Sequence, residues 1–124
     1  MSLGVASQVV TFTRSDCART FVPNGDPGTD HAWGAHHVVM GGTMRGGDFY
    51  GVPGPNGTVF PTLAPAGLDD TDDGGRARGR WIPTVAVDQY GATLASWFGV
   101  GNADLAAVFP NLGRFSSPTL GFLA

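Results

Sequence analysis

The sequence predicts an α/β fold with few short strands, two C-terminal helices and long Gly/Pro-rich loops. Short runs of β-branched and aromatic residues lie in the N-terminal third, whereas helical periodicity begins only at Val87. The 124 residues include Gly 20 and Pro 9, which interrupt regular structure and lengthen the loops between elements. A hydrophobic content of 42% is enough for a core, so residues 1–124 read as one domain.

In chain order, Gln8-Val9-Val10-Thr11-Phe12-Thr13 reads as a strand buried on both faces. It leads into Arg14-Ser15-Asp16, at the strand end where open parallel sheets bind ligands. Ser15 and Asp16 also suit a turn or a helix N-cap. Residues 17 to 37 carry little regular pattern, and Val38-Val39-Met40 reads as a second buried strand. Gly51 to Gly57 (GVPGPNG) is turn sequence, and Asn56-Gly57 suits a small hairpin. Residues 61 to 79 read as a connector. Within it Asp69-Asp70-Thr71-Asp72-Asp73 lacks the full pattern and closing Glu of an EF-hand and reads as a solvated loop. Trp81-Ile82-Pro83 is extended, because proline pushes the residue before it into the β region.

A helix follows over Val87 to Phe98. Val87, Tyr90, Leu94, Trp97 and Phe98 recur at helical spacing and predict one apolar face. Asp88 suits the positive end of the dipole, and Gly99 suits a left-handed stop. Asn102 is placed to cap a second helix, Ala103 to Val108, which Phe109-Pro110 ends. The apolar residues of the tail, Leu112, Phe115, Leu120, Phe122 and Leu123, show no clear period.

Net charge is −3, from seven Arg and ten Asp with no Lys or Glu. Without a basic cluster, neither nucleic acid nor an anionic membrane surface is an expected partner. No apolar run is long enough to span a membrane. The N-terminus lacks the basic and apolar regions of a signal peptide. Cys17 is the single cysteine, so no internal disulfide is expected.

The chemistry concentrates in Asn24 to Gly42, which holds all three histidines, His31, His36 and His37, together with Asp26 and Asp30. Imidazole and carboxylate are ordinary ligands of zinc and manganese. Asp30, His31 and His37 have the best spacing, with His36, Asp26 and Asp16 as further candidates. Asp30 and His31 can share a metal only on a bent loop, because neighbours on an extended chain diverge. His36 and His37 diverge likewise, and His37 is preferred because it directly precedes the strand. A Ser15/His31/Asp30 triad has no Gly-x-Ser-x-Gly elbow to support it.

Val10-Thr11-Phe12-Thr13-Arg14-Ser15-Asp16-Cys17-Ala18-Arg19-Thr20 resembles an element of a bacterial family of unknown function, numbered fifteen-oh-one among such domains. Asn24-Gly25-Asp26, Gly28 to Gly34 and His36 to Gly42 are similar to that family's "NGDGTDHAWGGHHFVMGG" run. So are Gly46-Gly47 to Tyr50-Gly51, Gly79 to Thr84, Val87 to Tyr90, Trp97 to Gly99 and Phe109 to Leu112. Cys17-Ala18 departs from the family's usual Phe-Gly, and Ala35 from a common Gly or Asn.

The resemblance implies part of an alkaline-phosphatase-like sheet, in the alkaline phosphatase and sulfatase superfamily. Asp30 and His31 would then serve one divalent metal, zinc or manganese, and His37 a second. Asp16 and Arg19 fall inside a matched motif without an assigned role. The match is to the C-terminal part of a longer protein whose nucleophile and first metal-binding Asp lie upstream. The expectation is therefore a C-terminal segment that is inactive alone and that pairs with an N-terminal partner chain or self-associates. The family is typically exported by the twin-arginine route, although the N-terminus here carries no such signal.

Overall fold

The computed structural model describes residues 3–72 and 74–124, and Asp73 of the acidic run lies outside them. They form a mixed α/β arrangement with two α-helices and two small antiparallel sheets. The chain separates into two compact units.

The first unit comprises the N-terminal residues to Phe12, Val39–Val52 and Val85–Ala124. We label its strands β1 (Val10–Phe12) and, out of order because it follows the other two in sequence, β4 (Val39–Gly41). They pair antiparallel, with Val10 opposite Gly41 and Phe12 opposite Val39. Both strands lie where the sequence placed strands, but the expectation that they are buried is corrected. Each of the two has a single partner strand, and Phe12 is 46% and Met40 56% exposed. The expected strand start at Gln8 instead closes a 3-10 turn, Ala6–Gln8.

Helix α1 (Val87–Trp97) forms as its periodicity predicts. Its buried face is rotated from the expected one. Gln89, Tyr90, Ala92 and Thr93 are buried, while Val87 and Phe98 are exposed. Two polar residues are buried because each has a fixed partner. Gln89 accepts the Ala86 N–H at 3.0 Å and donates to Ser117 O at 2.7 Å. Thr93 Oγ1 donates to Gln89 O and accepts the Leu120 N–H. These bonds tie the aperiodic tail to the helix, and Phe122 is 2% exposed between Tyr50 and Tyr90.

Gly99 ends α1 at φ +106°, its N–H reaching Ser96 O while Val100 N–H reaches Ala95 O. That pair of bonds is a Schellman stop. Helix α2 (Asn102–Val108) begins one residue earlier than expected, with Gly101 rather than Asn102 at the cap. Ala92, Leu105 and Leu112 form the core with Ala95, Val100 and Phe109 packed on it. At Gly91 a Cβ would lie 2.7 Å from the Phe109 ring, so the ring lies directly against the helix backbone.

The second unit comprises Thr13–Val38 and Pro53–Thr84. Its sheet pairs β2 (Ala18–Arg19) with β3 (His31–Ala32), two-residue strands inside a stretch without sequence pattern. Asn56-Gly57 closes a tight turn, with Gly57 N–H on Gly54 O, and no strand is found beside it among the described residues.

The acidic run is more than a solvated loop. Asp70 accepts four backbone N–H groups, from Ala66, Asp72, Gly79 and Arg80. Asp69 accepts the Thr62 N–H, and Asp72 accepts that of Arg78. The run also pairs with the following segment, Ile82 N–H to Asp69 O and Thr71 N–H to Arg80 O. This tightly spaced set of carboxylates satisfies local backbone N–H donors.

Candidate functional site

The candidate site lies wholly within the second unit. Thr20, 3% exposed, holds β2 and β3 together just beyond their ladder. Its N–H donates to Asp30 O, and its Oγ1 accepts the Asp30 N–H. Asp30 is thereby fixed at the head of β3.

The Asp30 carboxylate is engaged by three side chains. Asn24 Nδ2 donates to Oδ1 at 3.0 Å, Arg78 Nη1 donates to Oδ2, and Arg80 Nη2 lies 3.6 Å from Oδ2. The Asn24 hydrogen bond holds the Asp30 carboxyl below its ordinary pKa. Partial desolvation opposes the shift, and the charges of Arg78 and Arg80 add to it. Asn24 Oδ1, on the amide that binds Asp30, is buried without a partner.

Arg78 is brought here by backbone pairing. Val22 N–H donates to Arg78 O at 2.9 Å and Phe21 N–H to Gly79 O at 3.3 Å. Gly79 takes φ +72°, and a Cβ there would stand 2.8 Å from Phe21 Cβ and 2.9 Å from the Trp81 ring. The close approach of these two segments therefore requires glycine.

His31 faces a different partner. It sits opposite Arg19 in the ladder, and Cys17 is two residues before Arg19. Diagonal neighbours on one face of an antiparallel pair are within reach of each other. His31 Nδ1 accordingly lies 3.4 Å from Cys17 Sγ. The His31 carbonyl accepts Arg80 Nε at 2.9 Å.

The other candidates are dispersed. Arg19 donates through Nε to Thr29 Oγ1 at 2.8 Å and through Nη2 to Thr29 O, which ties down the loop before Asp30. Asp16 is exposed in the turn where Ser15 Oγ donates to Cys17 O, so this segment forms a turn and no helix cap. His36 is exposed against the Phe60 ring, at 5.7 Å between centroids. His37 is half-buried.

Asp30 and His31 therefore stand together in the chain, but their side chains engage different neighbours. Among the described residues no three or more His, Cys or Asp side chains converge in a group that could hold a metal. A metal shared by Asp30 and His31 would require the Asp30–Arg78 ion pair to open.

Sequence reasoning did not assign Asn24, Arg78 or Arg80 to this site. A readable signal existed for the arginines. Arg76, Arg78 and Arg80 alternate directly after a dense acidic run, a pattern suited to pairing with it.

No protein-family model, no curated protein and no solved structure matches this chain.

Proposed function

We propose that this chain is the C-terminal segment of an alkaline-phosphatase/sulfatase-like metallohydrolase, without turnover of its own. The reading rests on the resemblance of Asn24–Gly42 to a metal-binding run. The observation that carries it furthest is Asp30, a carboxylate kept anionic at the head of β3 beside the unpartnered Asn24 oxygen. In this reading Asp30, His31 and His37 contribute part of a ligand set for zinc or manganese. The remaining carboxylates and the nucleophile come from an N-terminal segment or partner chain. A metal bound there would polarise the ester oxygen. The chain's own contribution is to hold Asp30 ionised and to fix it on the β2–β3 sheet through Thr20.

The test is hydrolysis of aryl phosphate and aryl sulfate with added zinc or manganese. The isolated chain should show none, and activity should appear when the missing N-terminal segment is supplied. Clear metal-dependent turnover by the isolated chain would overturn the reading.

A second reading is a non-catalytic module that completes a partner chain. The exposed apolar side chains of β1 and β4, Phe12 and Met40, favour it. A tight mixed complex that never hydrolyses either ester would select this reading over the first.

A further inference from the structure

We propose that Arg76, Arg78 and Arg80 form an oxyanion site that takes a phosphate or sulfate group. This goes beyond the metal reading and needs no metal.

Arg76, Arg78 and Arg80 line one cavity of about 240 Å³ with Asp72. At ~30 Å³ per water in the liquid, that is room for about eight waters. A tetrahedral oxyanion fits with part of its ester group. Among the described residues three cations and one carboxylate line the cavity, so this described lining is net positive. Two described carboxylates nearby have partners of their own. Asp30 pairs with Arg78, and Asp70 is enclosed by four backbone N–H groups.

Arg78 and Arg80 are held in place by their ion pairs. Arg80 Nη1 lies 2.5 Å from Asp72 Oδ1, its Nε donates to His31 O, and Arg78 Nη1 donates to Asp30. Their positions are thus set before any ligand arrives, which lowers the entropy cost of binding. Arg78 still has Nε and Nη2 to offer. Arg76 is exposed and makes no hydrogen bond or ion pair among the described residues, so its whole fork of donors is available. A planar guanidinium suits two oxygens of a phosphate or sulfate at once, which a chloride ion cannot match.

The experiment is a titration followed by amide NMR, at low ionic strength with chelator present. The probes are inorganic phosphate, inorganic sulfate, phenyl phosphate and phenyl sulfate, with chloride as the control. Saturable shifts should localise to residues 75–80, absent with chloride. Arg76→Ala should weaken binding at least fivefold, with Arg76→Lys intermediate. Arg76 is exposed and its side chain makes no hydrogen bond or ion pair among the described residues, so these variants should keep the wild-type spectrum elsewhere. Tighter binding of the phenyl esters would assign the cleft to an ester, and tighter binding of the inorganic ions to the free anion. Either order supports the site. Non-saturating shifts equal to those with chloride, or unchanged affinity in Arg76→Ala, would overturn it. The metal-free conditions keep this result separate from the fate of the hydrolase reading.

Discussion

Arg78 donates to the Asp30 carboxylate across 48 positions of sequence. The bond joins the segment after the acidic run to the head of β3. It also means that the carboxylate best suited to a metal already has a cation beside it.

Acid should weaken the fold in a defined window. Asp30 is held below its ordinary pKa of 3.8 first by the Asn24 hydrogen bond. At Asp70 desolvation pushes the pKa up, but the backbone donors of Asp72, Ala66, Arg80 and Gly79 outweigh it and leave it below 3.8. A carboxyl lowered on folding contributes stability that is present above its unfolded value. That contribution declines as pH falls below 3.8 and is lost once pH passes through the folded value. Urea midpoints measured between pH 6 and pH 2 should therefore stay level to about pH 4 and then drop. Asp30→Asn should flatten that drop, and an unchanged slope would count against the Asn24–Asp30–Arg78 cluster.

Asp70 should matter more for stability than its place in a polar run suggests. Asp70→Ala leaves four backbone N–H groups without their acceptor, at a cost of about 1 to 2 kcal/mol because water reaches part of the site. Asp69→Ala frees a single N–H and should cost less. Chemical denaturation of the two variants side by side checks the order.

Two glycines with positive φ should respond differently to alanine. Gly57, at φ +73°, has open space around it, so Gly57→Ala carries only the left-handed strain of about 1 to 2 kcal/mol. Gly41, at φ +88°, would place a Cβ 2.6 Å from Val9 O, so Gly41→Ala adds a clash with backbone that has little room to yield. Thermal melts should show the larger loss for Gly41→Ala.

What was legible in the sequence follows the length and period of each element. Helix α1 was readable because eleven residues repeat an apolar pattern, and Gly99 because a left-handed stop demands that residue. The two strands of the first unit were located from their β-branched residues. Their antiparallel pairing was not legible, since three-residue strands carry no signal of direction or cover. Strands β2 and β3 are too short to show a period, yet they place His31 opposite Arg19 and within reach of Cys17. Asp30 was picked out by residue type. Its partners were hidden because Arg78 and Arg80 reach it only through the turn that Asp70 organises.

The most direct test of the central claim is a calorimetric titration of zinc into the wild-type chain and into His31→Ala/His37→Ala, with circular dichroism to show that both are folded. The account predicts weak binding by the wild type, because an incomplete ligand set must compete with Arg78 for Asp30, and its loss in the double variant. Equal binding by the two proteins, whether measurable or negligible, would contradict it.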